Sequence, residues 1–319
     1  MMKVVSVINY KGGVGKTTLT ANLGAYAASQ GKRVLMIDLD PQASLTFSFM
    51  STEEWRDVYS DSKTMKNYFE PITRRKAKIP ALSSLVIHLD LGRPLKLDGM
   101  TLDLLSSHLR LIDIDTKLAN IIVATDPETL ASSSLQVFSY LRNSLAEISG
   151  DYDLVMIDCP PNSGIAVKNA LAASDCCIIP ARLDYLSTLG ISNLKDSLNE
   201  YLEEYGRHIN ILGNTEYQPL SLKMLGVVPM MVNILRDKDE SRNIEREIIG
   251  AQQEFMARLE KDGVYIFTPV RNNPAVFGSA PVEGVPAVLT RPKFYQQTAR
   301  KIVRELQELG SEFLAKLGV

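Results

Sequence analysis

Apolar residues follow two rhythms along this chain. Unbroken runs such as Val4-Val5-Ser6-Val7-Ile8, Val34-Leu35-Met36-Ile37 and Leu154-Val155-Met156-Ile157 alternate with stretches of helical spacing, such as Leu135, Phe138, Leu141, Leu145 and Ile148. Short continuous runs suit strands covered on both faces, and the 3.6-residue period suits helices with one apolar side. The pattern predicts strands at 3–9, 33–38, 100–105, 153–158, 176–180, 225–232 and 264–268. It predicts helices at 17–30, 107–120, 132–148, 165–173, 185–205, 242–261 and 295–309. Gly31 falls where a helix C-cap belongs. Alternating strands and helices imply an α/β fold, a doubly wound, mostly parallel sheet flanked by helices.

Residues 51–99 break the rhythm. They are polar, hold the chain's single tryptophan, Trp55, and carry the basic run Arg74-Arg75-Lys76-Ala77-Lys78. This stretch reads as an inserted helical segment within one domain spanning 1–319. The basic run fits either a nucleic-acid contact or a solvated face. Near the C-terminus, Ile302, Val303, Leu306, Leu309, Phe313, Leu314 and Leu317 form a helical apolar stripe. A membrane-surface helix needs a basic face, and the final ten residues offer only Lys316 and Glu312, so packing on the core is expected.

The net charge of −2 gives no overall field toward DNA or an anionic membrane, so such contacts would need a local patch. Cys159, Cys176 and Cys177 form no C-x-x-C pair, which argues against a disulfide framework or zinc site and fits a cytoplasmic protein. The first strand starts at Lys3, so no leader is expected, and no apolar run is long enough for a transmembrane segment.

The chemistry concentrates after the first strand, in Lys11-Gly12-Gly13-Val14-Gly15-Lys16-Thr17-Thr18. Strand, glycine-rich loop and helix form a phosphate cradle, the P-loop NTPase type of site. Glycines let backbone N–H groups close around phosphate oxygens, and the helix N-terminus adds its positive dipole end. Lys16 would reach the β- and γ-phosphates, and the Thr17 hydroxyl would hold Mg²⁺. Three acids stand at strand ends, where a parallel sheet binds ligands: Asp38, Asp40 and Asp158. Asp158 is the candidate metal-side acid, although a strand-ending Asp also caps turns. Asp38 would hold metal-bound water. Asp40 is placed to orient the attacking water, and Asp40-Pro41 also reads as a helix start.

Together K-G-G-V-G-K-T-T, D-L-D-P-Q-A-S (38–44) and I-D-C-P-P-N (157–162) resemble the ParA/MinD group of deviant Walker A ATPases, closer to the ParA/Soj partition branch. Ile178–Gly190 and Leu225–Asn233 carry the resemblance further. It implies ATP and Mg²⁺ as ligands and a homodimer that sandwiches ATP. Lys11 would be the signature lysine that crosses to the partner's phosphates, as an arginine finger does. Asp40 would lie in switch I and Asp158 in switch II, and Asn233 resembles the residue that reads the adenine amino group. The resemblance implies a slow ATPase acting in DNA partition or cargo positioning, stimulated by a ParB-like or other activating partner, with non-specific DNA as substrate surface and nucleoid association. The alternative is a MinD-like positioning ATPase on a membrane or protein scaffold. A reductase or metal carrier of this fold would need cysteines at cluster-bridging positions, which the spacing does not supply. Partition members often carry an arginine and a lysine in the late loop, where this chain has Val276 and Val285. DNA contact would then fall to Arg236, Lys238, Arg242, Arg246, Arg291, Lys293 or the basic run.

Overall fold

The computed structural model describes residues 1–74, 78–91, 99–213, 216–236, 247–248, 250–292 and 296–319. Among these, a seven-stranded sheet runs in the order β3-β4-β2-β5-β1-β6-β7. Its members are β1 (Lys3–Val7), β2 (Val34–Asp38), β3 (Ile87–His88), β4 (Leu102–Leu105), β5 (Leu154–Asp158), β6 (Cys176–Arg182) and β7 (Lys223–Met230). All pair in parallel except β3, which closes one edge antiparallel to β4.

Side-chain alternation along the strands builds two cores. Val5, Val7, Val34, Met36, Leu154 and Met156 point toward α1 (Lys16–Ser29) and the C-terminal helix (Gln297–Leu317). Val4, Leu35, Ile37, Val155 and Ile157 point to the other layer. That layer holds α2 (Met65–Thr73), α3 (Leu111–Ile121), α4 (Pro127–Glu147), α5 (Ile165–Ala173) and α6 (Tyr185–Leu212). One more step of the same alternation carries Asp38 and Asp158 to the α1 side. They are direct neighbours across the β2–β5 pair. The C-terminal stripe is buried as expected, with Ile302, Leu306, Leu309 and Phe313 in the core against α1. No helix among the described residues is long and apolar enough to cross a membrane.

Several element bounds differ from the sequence pattern for local reasons. The helix expected from Ser107 starts at Leu111, because the Ser107 amide and hydroxyl bond elsewhere, to Thr46 Oγ1 and the Asp40 carbonyl. The helix expected from Ser132 starts at Pro127, where Asp126 caps it by accepting from the Thr129 amide and proline fills the first turn. The strand expected at 264–268 is an irregular edge along β7. Tyr265 and Phe267 bond Val227, but the Thr268 amide turns to Glu312 and Pro269 has no N–H to offer. Gly226 permits that approach, since a Cβ there would sit 2.4 Å from the Tyr265 carbonyl oxygen. Within 51–99, short helices appear as expected, but the segment also contributes β3 to the sheet. The described part of the 242–261 helix is α7 (Gly250–Lys261); Lys238, Arg242, Arg246, Lys293 and residues 75–77 of the basic run lie outside the described residues.

The α1–C-terminal helix contact is tightest at Gly310, where a Cβ would fall 2.3 Å from Tyr26 Cδ1. Gly310→Ala should therefore destabilise the protein by about 1–3 kcal/mol, against the usual helical gain from alanine. Urea denaturation of the two proteins measures the sign.

Candidate functional site

The chain leaves β1 at Val7 and turns through Asn9–Gly15 into α1. Gly13 (φ +68°) and Gly15 (φ +94°) take left-handed backbone that side chains disfavour. Nothing lies within 4 Å of where a Cβ would stand on Gly12 or Gly13, so both glycines face open space. Val14 is buried and anchors the loop beneath it. Lys16, 7% exposed, folds back over the loop, its Nζ donating to the carbonyls of Asn9 (3.0 Å) and Lys11 (3.2 Å). Burial pulls its pKa down, and the charges of Asp158 and Asp40 oppose that. Among the described residues its hydrogen bonds go to loop carbonyls, which an ammonium can exchange for anionic oxygens. Thr17 and Thr18 open the first turn of α1, with Thr17 facing β5.

Three acids gather at the strand ends. Asp158 has no solvent exposure and accepts from the Thr17 hydroxyl at 2.7 Å and the Thr20 hydroxyl at 3.4 Å. Its carboxyl is pushed up to about 7, chiefly by burial. Asp38 is equally buried, and its pKa is raised by burial and by the charge of Asp158. Asp38 accepts from the Asp40 amide (3.1 Å) and from the amide and hydroxyl of Thr46 (both 2.8 Å). Both of its oxygens are thus engaged in holding the 40–46 loop. Asp40 is half-exposed and accepts from the Gln42 amide at 2.9 Å. That turn, not a helix start, is its local role; the next helical residues are a single 3₁₀ turn at Thr46–Ser48. Ala43 sits in the loop at φ +54°, a strained backbone for alanine.

Lys11 lies at the loop's front. Its amide donates to Asn9 Oδ1, and its Nζ contacts both Asp184 oxygens at 3.2 and 3.0 Å. Asp184 follows β6 and lines a cavity of about 300 Å³ with Arg182, Leu183, Met231, Asn233, Gln252 and Asn272. Asn233 is exposed at its mouth, its amide donating to Gln252 Oε1. The structure thereby brings Lys11, Lys16, Thr17, Asp38, Asp40 and Asp158 to one end of the sheet. Asn233 stands at the neighbouring cavity that Asp184 links to the loop.

The donor set fits Mg²⁺. Thr17 Oγ1 and the two buried carboxyls are hard oxygen ligands, and a divalent cation beside them would favour the ionised forms that burial disfavours. Among the described residues no group of three or more His, Cys, Asp or Glu forms a complete metal cage. Mg²⁺ does not need one, because it takes much of its coordination from water and phosphate. Asn9, Thr46, Ser107 and Asp184 are not singled out as site residues by the sequence, although Asn9 ends the first apolar run and Asp184 falls within the Ile178–Gly190 stretch.

Residues 2–211 match the family AAA_31, an AAA domain. The chain is 27% identical to the sporulation initiation inhibitor protein Soj of Bacillus subtilis, over 92% of this chain and 93% of Soj. Its fold is similar to the ATP complex of a McdA variant from Cyanothece, with TM-score 0.69, 19% identity and coverage of 100% and 97% of the two chains. It is also similar to the septum site-determining protein MinD from Pyrococcus horikoshii complexed with Mg-ADP, with TM-score 0.60, 18% identity and coverage of 98% and 96%.

The buried link from Asp38 to the 40–46 loop has a measurable strength. Thr46→Val removes the hydroxyl that donates to Asp38 and accepts from the Ser107 amide. A loss of about 1–3 kcal/mol in unfolding free energy is expected, since the buried Ser107 amide is left unpaired and Asp38 loses one of its three donors.

Proposed function

Because the chain belongs to the AAA_31 family and is a ParA-like protein of the Soj/MinD type, we propose that it is an ATP-dependent dimerising ATPase of the partition type. The carrying observation is the glycine loop beneath Lys16 with Thr17 and Asp158 in contact at 2.7 Å. In this reading the amides of Gly12–Thr17 and the Lys16 ammonium hold the phosphates of ATP. Thr17 and Asp158, with Asp38 behind them, hold Mg²⁺ and its waters. When bound, Mg²⁺ supplies charge neutralisation across the β- and γ-phosphates. Asp40 orients the attacking water from its half-exposed position on the adjoining loop. Asn233, with the side-chain amides of Gln252 and Asn272 nearby, lines the cavity that would take the base.

Lys11 is assigned to a second copy of the chain, where it would meet the phosphates of the partner's nucleotide. Its pairing with Asp184 within one copy supports a charge that is held until an anion replaces the carboxylate. Cargo movement by nucleotide-dependent binding to non-specific DNA, and stimulation by a ParB-like partner, belong to this proposal through the motif resemblance to partition ATPases. Among the described candidates for phosphate contact, Arg291 lines an open cleft with Gln296 and Thr298 beside the start of the C-terminal helix. Burial of the C-terminal apolar stripe favours this reading over a membrane-bound one.

Three variants separate the assigned roles. Lys16→Ala should abolish ATP binding in calorimetry. Asp40→Ala should bind ATP but hydrolyse it at least about 100-fold more slowly, as expected for loss of a general base or water-orienting group. Lys11→Ala should lose turnover and the ATP-dependent mass increase in light scattering. Parental turnover by Asp40→Ala would remove the catalytic assignment. DNA binding should require ATP and weaken as salt rises, and salt-independent binding would exclude backbone phosphate contact.

A further inference from the structure

The turn that follows β4 and the helix it leads into touch the Asp40 loop, the inserted segment and the start of α5. Ser107 Oγ donates to the Asp40 carbonyl at 2.6 Å, and its amide donates to Thr46 Oγ1 at 3.0 Å. One residue thus clasps the Asp40 loop at both of its ends. Ser106, beside it, ties the inserted segment: its hydroxyl donates to the Lys63 carbonyl, and its own carbonyl accepts from the Met65 amide. Trp55 of that segment stacks edge-on against Phe47 at 5.6 Å and packs on His108 at the same distance. Eight residues along, Asp115 on α3 accepts from the Ala166 amide at 2.7 Å and caps α5, directly after the Cys159–Gly164 loop that leaves Asp158. The contact is close: a Cβ on Gly164 would fall on the Asp115 carboxylate.

We propose that Ser107 is a positioning residue for Asp40, and that the Ser106–Asp115 turn couples the Asp40 loop, the Gly164 loop and the inserted helices into one unit. The physical reason is the loop's own weakness. Residues 40–45 contain no regular element, and Ala43 is strained, so the water-orienting carboxylate depends on anchors outside the loop. Asp38 supplies the anchor from below and Ser107 the anchor from the side. Sequence order hides this, because Ser107 lies 67 residues from Asp40. The inserted segment acquires a role in consequence: through Trp55, Lys63 and Met65 it braces the turn that braces Asp40.

The kinetic part rests on the ATPase reading; the structural part does not, and the experiment reads both. Hydrogen exchange in the nucleotide-free protein compares wild type with Ser107→Ala. Amides at 40–47 should exchange about tenfold faster, the equivalent of one lost hydrogen bond, while amides of α1 and β1 stay unchanged. Unchanged exchange at 40–47, or an equal rise across the sheet, would overturn the proposal whether or not the protein hydrolyses ATP. In turnover, Ser107→Ala should lower kcat about tenfold with KM for ATP within about twofold, and Ser107→Thr, which keeps the hydroxyl, should restore most of kcat. Failure of the threonine variant to restore turnover, or a matching rise in KM, would also overturn it. Ser107→Ala combined with Asp115→Asn should cost less than the product of the single effects, as expected for parts of one unit; multiplicative losses would sever the coupling. A wild-type protein without ATP turnover but with the expected exchange pattern would sink the ATPase reading and leave the positioning role standing.

Discussion

Two carboxylates, Asp38 and Asp158, lie fully buried as neighbours across a parallel strand pair. Isolated, such a pair would cost several kcal/mol per ion, so its surroundings must be built to hold it. The Thr17 and Thr20 hydroxyls of α1 serve Asp158, and Thr46 and the Asp40 amide serve Asp38. Each contact fixes something useful. The first set seats the glycine loop and its helix against β5, and the second seats the Asp40 loop against β2. Lys16, the nearest buried cation, is held over the loop by backbone carbonyls. The electrostatic strain of the site is thus also its geometry: of the groups beside the acids, Thr17 and Lys16 are those that would meet Mg²⁺ and phosphate.

Much of this arrangement is legible in the sequence, and the limits have physical causes. The buried strands announce themselves as apolar runs, because both faces are covered by helices, and two of them, β2 and β5, end in an acid. The glycine loop is visible because phosphate cradling needs backbone without Cβ. Asp158 and Asp38 could be placed at the ligand edge by their position at strand ends alone. What the sequence did not show is long-range: Ser107 on Asp40, Asp115 on α5, Asp184 on Lys11. Single serines and aspartates have no period and no spacing, and only the folded register brings them to their partners. The same holds for the start of α3, where the helical pattern extends back to Ser107 but the tertiary bonds of that residue win.

The inserted segment shows how added helices come into contact with the loops at the sheet end. Residues 51–74 add short helices over β4 and pack through Trp55 onto the loop beside the site. The C-terminal helix shows the opposite use of an apolar stripe. Its burial against α1 reinforces the helix that carries Lys16 and Thr17, so the loop's position depends on packing far from the phosphates. The match to the AAA_31 family, over residues 2–211, spans both the glycine loop and the inserted segment.

The central claim is that the loop at 11–18 and the acids at 38 and 158 form a nucleotide–Mg²⁺ site. A crystal structure with a non-hydrolysable ATP analogue and Mg²⁺ tests it most directly. Lys16 Nζ should leave the Asn9 and Lys11 carbonyls for phosphate oxygens, and the Thr17 hydroxyl should turn from Asp158 to the metal. Phosphates bound away from the loop, with Lys16 still on its carbonyls and Thr17 still on Asp158, would contradict the account.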